Sequence, residues 1–233
     1  VLNILPNNAK RGLLDYSTRE IYSSINDIVH PIVREVLKDF DISRYIELKT
    51  FGFASGGAGL GGSSSFLLSL ISSIANGFDI QMTNEEIVEK ACSIEINNLN
   101  KPIGKQDQYL CAYSDFNSFT FFDNDLVERN QLSSQKLNTL RRLANDFYLI
   151  PTYKKRNSDT VLSAISKCKD SLEKIMEIRS IASQFLSFDD NRDYKIEQLF
   201  HESMKDSWDV KKTLSNVMTE SLTDQYEIIN KYI

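Results

Sequence analysis

Apolar positions along the chain change period several times, and each change marks an element. In "HPIVREVLKDF", Ile32, Val33, Val36 and Leu37 recur at three- to four-residue spacing behind Pro31, which predicts a helix with proline in its first turn. "YIELKTFGF" sets Ile46, Leu48 and Thr50 alternately against Glu47 and Lys49, the period of a half-buried strand. The next helix is predicted from about Ser63 to Asn76, directly after a run of glycines. Thr83 and Glu86 form a capping box that opens another, running to about Asn98. The first residues, "VLNILPNNAKRGLLDYSTREIY", read as strand–turn–strand, with Asn7, Asn8 and Gly12 at the turn. After Gly104 a short helix over "QDQYLCAY" precedes a hairpin, "FNSFTFFDNDLVERNQL", turning near Asp123 and Asn124. From Leu137 onward the pattern is helical over about 158–187, 193–218 and 220–233, apart from one strand expected at "FYLIP". This change of composition predicts a chain of two parts, 1–145 and 146–233.

Composition narrows the function classes. At 233 residues, 41% hydrophobic and 25% charged, the chain can bury a core. Net charge is −5 and the lysines and arginines are scattered, so no basic stripe for nucleic acid is present. An apolar run of membrane-spanning length and a charged N-terminal leader are both missing, so a cytoplasmic protein that does not enter membranes is expected. Cys92, Cys111 and Cys168 are read as small core residues rather than disulfides, and Phe119, Phe121 and Phe122 as core. Two histidines, His30 and His201, do not suffice for a histidine-rich metal centre.

The chemistry concentrates at residues 57–66, "GAGLGGSSSF", which hold four of the nine glycines. A strand, then glycines, then a helix start holds phosphate: backbone N–H groups approach the oxygens closely, and the helix N-terminus contributes about half a positive charge. The loop lacks the lysine of G-x-x-x-x-G-K-[ST]. A dinucleotide fingerprint fits Gly57, Gly59 and Gly62, but its acidic partner would be Asp79, in a turn rather than at a second strand. A turn whose serines merely cap a helix remains the bland reading.

The remaining pattern, G-L-G-x-S-S at Gly59 to Ser64, resembles the central motif of the GHMP kinases. "CSIEINNLNKPIGKQDQYLCAY" (Cys92 to Tyr113), "HPIVREVL" and "SWDVKKTLS" are similar to the heptose 7-phosphate kinase branch of that superfamily. The resemblance implies a GHMP-kinase-like two-domain α+β fold. It implies ATP held by Gly57, Ala58, Gly59, Leu60, Gly61, Gly62, Ser63 and Ser64, with Mg2+ held by Glu95 and Ser63. Asp107 would face the substrate hydroxyl as the catalytic carboxylate, and Lys105, Gln106 and Arg156 would meet the sugar phosphate. The implied reaction is ATP- and Mg2+-dependent phosphorylation of the anomeric hydroxyl of a heptose 7-phosphate, for bacterial surface-polysaccharide precursors. Partners would be ATP and the sugar phosphate, and a homodimer is left open. Departures from the family pattern are Ser55 for a proline, Gly62 for a serine, Ser114-Asp115 for a glycine pair, and Thr152-Tyr153 for "TG" before Arg156. The family's N-terminal sugar motif and C-terminal glycine motif are not found in the chain, so its fold is expected to be incomplete at both ends.

The residues leave alternatives open. Glu95 falls on the stripe of Val88, Ala91 and Cys92, where a carboxylate must be paired, protonated or bound to a cation. A metal ligand near Ser63 would put the two oxygens roughly 4–6 Å apart, with the ion between them. Asp107 is equally a helix N-terminal charge, Lys105 and Arg156 solvated cations, and Gln106 a turn residue. Another sugar 1-kinase and a non-catalytic paralogue that binds nucleotide or sugar phosphate are the competing functions.

Overall fold

The computed structural model describes residues 1–52, 59–150, 162, 163, 165, 170–188 and 193–214. The chain divides into two compact units, Val1–Ser114 and Asp115–Ile233.

The first unit is built on a mixed four-stranded sheet. Its strands are β1 (Leu2–Ile4), β2 (Gly12–Asp15), β3 (Arg19–Tyr22) and β4 (Ile46–Lys49), in the order β1-β4-β2-β3. The opening residues therefore form three strands, of which β1 and β2 are not neighbours: β4 lies between them, antiparallel to β1 and parallel to β2. The hairpin is β2–β3, closed by a bond from the Tyr16 N–H to the Thr18 carbonyl. Leu14, Ile46 and Leu48 are buried from this sheet.

Helix α1 (Pro31–Asp39) begins with proline as expected and buries Ile32, Val33, Val36 and Leu37. Helix α2 (Gly62–Gly77) buries Leu67, Leu68, Leu70, Ile71, Ile74 and Ala75. Each buried leucine or isoleucine contributes about 1.5–3 kcal/mol, so the helix is held by its middle while its N-terminus is left for the glycine loop. Helix α3 (Asn84–Ser93) carries the complete Thr83/Glu86 capping box. Beyond Ser93 the chain continues as one π-helical turn, Ile94–Asn98, rather than as α-helix to Asn98. Helix α4 (Gln106–Ala112) completes the unit and buries Gln108 and Tyr109.

The second unit opens with the expected hairpin, β5 (Asn117–Phe121) against β6 (Val127–Gln131), whose turn includes Asp125 at φ 64°. Among the described residues its longer helices are α5 (Ser134–Ala144), α6 (Ser171–Ser187) and α7 (Asp193–Thr213). Leu140 and Leu143 of α5 cluster with Phe185 and Ile196 from α6 and α7, and the units divide after Ser114 rather than near Asn145.

Four expectations are corrected here. Helix α5 was not anticipated. The described part of "FYLIP", Phe147 to Ile150, forms no strand and is exposed. Phe121, the last residue of β5, and Phe122 just beyond it are exposed instead of core, and Phe119 is only half-buried. Cys111 is exposed while Cys92 is buried, and burial pushes the Cys92 thiol up to about 12. Cys168 lies outside the described residues.

Candidate active site

The loop reaches the first turn of α2 through two backbone conformations that side chains resist. Gly59 has φ 74°, and Gly61, the residue capping α2, has φ 66°. A Cβ at Gly61 would also lie 2.8 Å from the Cys111 sulfur, whereas one at Gly59 would meet open space. No side chain caps α2, so the amides of its first turn are left to other acceptors. Leu60 is exposed and Ser64 buried. Gly57, Ala58 and Arg156 lie outside the described residues.

Glu95 lies in the π-helical turn and is 1% exposed. Such turns often mark functional sites, because the extra residue re-aims a side chain. Its carboxylate accepts three side-chain donors. The Ser63 hydroxyl (3.0 Å) and the Lys101 ammonium (2.6 Å) both bond Oε1, and the Gln108 amide (2.6 Å) bonds Oε2. The Lys101 Nζ also stands 3.4 Å from the Ser63 oxygen, so one cation touches both oxygens. The expected gap of 4–6 Å is thus corrected to direct contact. The earlier figure placed two ligands on opposite sides of an ion. Adjacent ligands of an octahedral ion at about 2.1 Å lie only about 3.0 Å apart.

Helix α4 serves both ends of this cluster. Gln108 reaches Glu95, and Cys111 bonds the Gly61 carbonyl at 3.6 Å. Asp107, four residues before Cys111, shares its helix face and adds negative charge that, after burial, raises the Cys111 thiol. Asp107 is exposed in the first turn of α4, as is Gln106. Lys105 is held back by Glu89 at 3.2 Å. The Tyr109 hydroxyl donates to the same Glu89, and burial and this bond raise the phenol. Sequence reasoning missed Lys101, Gln108 and Glu89. Gln108 was within the quoted "KQDQY" run, but its burial shows only in three dimensions. The Gln108 Oε1 is buried without a hydrogen-bond partner.

Beside the loop, His30 packs its ring against Phe66 at 5.3 Å and against Tyr16 at 4.8 Å. Burial holds the His30 imidazole below its ordinary range, against an upward pull from Glu20. Burial alone would raise Glu20, but bonds from the Tyr16 hydroxyl and the Val29 and His30 N–H groups outweigh it and hold the carboxylate low. Among the described residues no group of three or more His, Cys, Asp or Glu forms a metal cluster, and no helix is long and apolar enough to cross a membrane.

These features meet in a known class. Residues 27–115 match the family described as GHMP kinases N terminal domain. Over 121 residues the chain is 31% identical to the D-glycero-alpha-D-manno-heptose 7-phosphate kinase of Campylobacter jejuni subsp. jejuni serotype O:2. That match covers 51% of this chain and 36% of the relative, so it spans about a third of the relative's length. Solved structures show the same fold. A D-glycero-D-manno-heptose 1-phosphate kinase from Bacteriodes thetaiotaomicron has TM-score 0.61 at 18% identity, covering 92% of this chain and 68% of that one. The Methanococcus jannaschii mevalonate kinase has TM-score 0.69 at 14% identity, covering 99% and 74%. The α+β fold is that of the GHMP kinases, and the chain covers part of each neighbour.

Proposed function

We propose that the chain carries the nucleotide loop of a cytoplasmic, ATP- and magnesium-dependent sugar kinase that phosphorylates the anomeric hydroxyl of a heptose 7-phosphate. One observation carries this reading. A fully buried carboxylate, Glu95, is bonded to Ser63, the serine in the first turn of the helix that follows the glycine loop. The heptose substrate is supported by the Campylobacter relative, and a sibling sugar 1-kinase is the alternative within the class.

The donor set suits magnesium, a hard ion that takes oxygen ligands and settles for one or two carboxylates beside phosphate oxygens. Glu95 and Ser63 would hold it, and when bound it would neutralise charge on the transferred phosphoryl group. The residues of the chain do the rest. Backbone amides of Gly59 to Ser64, with Gly57 and Ala58 before them, bind phosphate oxygens at the helix N-terminus. Asp107 orients the anomeric hydroxyl and accepts its proton as the sugar oxygen bonds the γ-phosphorus and the bond to the ADP oxygen breaks. Lys105, Gln106 and Arg156 are assigned to the sugar phosphate, and Lys105 would have to exchange Glu89 for it. Phosphoryl transfer asks mainly for such alignment and charge neutralisation.

A second reading has its own support: Glu95 is already paired with Lys101, as a purely structural carboxylate would be. A non-catalytic paralogue would then bind nucleotide or sugar phosphate without turnover. Incubating the protein with ATP, magnesium and heptose 7-phosphate and following 31P NMR separates the two. The kinase reading expects a new anomeric phosphate signal and ADP. Binding of both ligands with no product would favour the paralogue.

A further inference from the structure

We infer that Lys101 is a resident counterion of the Glu95–Ser63 pair, which a divalent cation must displace to bind, so that Lys101 sets the metal affinity of the site. This rests on the metal reading of Glu95 and Ser63.

The position of Lys101 is built into the backbone. The π-helical turn ends at Leu99, whose N–H bonds the Ile94 carbonyl, and Asn100 then takes a left-handed conformation at φ 51°. This reverses the chain so that the Lys101 N–H returns to the Glu95 carbonyl at 3.0 Å, and the Ile103 N–H fixes the Lys101 carbonyl at 2.9 Å. From there the ammonium reaches Glu95 Oε1 at 2.6 Å and the Ser63 oxygen at 3.4 Å. Those are the two atoms a divalent cation would take. A second positive charge cannot share Oε1 at that range without strong repulsion.

The two sides of the carboxylate are unequal. Oε2 is tied to Gln108, which is fully buried, so that bond persists whichever cation sits on Oε1. Oε1 faces the exchangeable side, because the Lys101 side chain is 22% exposed while that of Glu95 is 1% exposed. Lys101 therefore has a path to water, and Glu95 has none. The carboxylate stays aimed while its counterion changes. The lysine keeps a buried charge compensated when no metal is bound, and this competition weakens metal binding.

The test is a Mn2+ titration without nucleotide, reading free Mn2+ by electron paramagnetic resonance, on wild type, Lys101→Gln, Lys101→Arg and Glu95→Gln. Wild type should show a site that Glu95→Gln abolishes. Lys101→Gln should tighten it at least about tenfold, ~1.4 kcal/mol, and Lys101→Arg should leave it near wild type. Unchanged or weaker binding in Lys101→Gln, with the Glu95-dependent site intact, overturns the counterion and leaves the metal reading standing. Equal binding by Glu95→Gln and wild type overturns both. Should Lys101→Gln not fold, wild type with 13Cε-labelled lysine gives the answer. The resonance that Lys101→Arg removes should shift as Mg2+ is added, and a resonance that does not move overturns the proposal.

Discussion

Replacing Glu95 by glutamine removes one negative charge from the most buried acidic side chain of the described residues and changes little in shape. The carboxylate takes three donors, two on Oε1 and one on Oε2. A glutamine offers one oxygen and one amide nitrogen. If its oxygen keeps Ser63 and Lys101, its nitrogen faces the Gln108 nitrogen, donor to donor. Gln108 can relieve this by turning its amide over, since its Oε1 has no partner. That exchanges one orphaned atom for another, so the remaining cost is the ion pair. Breaking a buried pair by removing one partner costs about 3–5 kcal/mol, but Lys101 is partly exposed and can turn to water. The expected loss is therefore about 2 kcal/mol, near the value for a hydrogen bond to a charged group. Urea unfolding followed by far-UV circular dichroism measures it, and Lys101→Met alone and combined with Glu95→Gln gives the coupling. A coupling of at least ~1 kcal/mol is expected for groups in direct contact. A Glu95→Gln protein within ~0.5 kcal/mol of wild type, the range of ordinary surface changes, would refute the network.

Three further outcomes follow from particular residues. Gly61→Ala should cost more thermal stability than Gly59→Ala, because both incur about 1–2 kcal/mol of left-handed strain but only Gly61 also meets the Cys111 sulfur. Adding Cys111→Ala should recover part of that excess, and equal costs at the two glycines would show the contact to be irrelevant. Asp107→Asn should leave the unfolding midpoint unchanged, since the side chain is exposed, while lowering phosphoryl transfer by roughly 10²–10⁴-fold. Near-normal turnover would reduce Asp107 to a helix-terminal charge. His30, flanked by Tyr16, Glu20 and Lys101, has a folded pKa below its unfolded value, so the unfolded chain takes the proton first as pH falls. Stability should be complete above about pH 6.5 and decline as pH drops through it, and His30→Gln should flatten that decline. Urea midpoints at pH 7.5, 6.5 and 5.5 that fall equally in both proteins would assign the loss elsewhere.

What the sequence made legible was local. The stripe of α1, the Thr83 capping box and the glycine loop each lie within a few consecutive residues, where periodicity and capping chemistry act. The mixed sheet did not show, because placing β4 between β1 and β2 depends on pairing across more than thirty residues. Glu95 was assigned correctly to the buried face of its helix. Its surroundings were not legible, since the π-helical turn and the reversal at Asn100 that return Lys101 to it have no periodic signature. Helix α5 escaped notice because its charged residues obscure a narrow apolar face of Leu140 and Leu143.

The central claim is that the start of α2, with Glu95 and Ser63, holds a nucleotide triphosphate through a metal ion. Anomalous diffraction from crystals grown with Mn2+ and a non-hydrolysable ATP analogue tests it most directly. The account predicts one anomalous peak about 2.1–2.2 Å from an oxygen of Glu95 and from that of Ser63, phosphate oxygens against the first-turn amides, and Lys101 withdrawn from Oε1. Nucleotide bound with the Glu95–Lys101 pair intact, and manganese elsewhere, would contradict it.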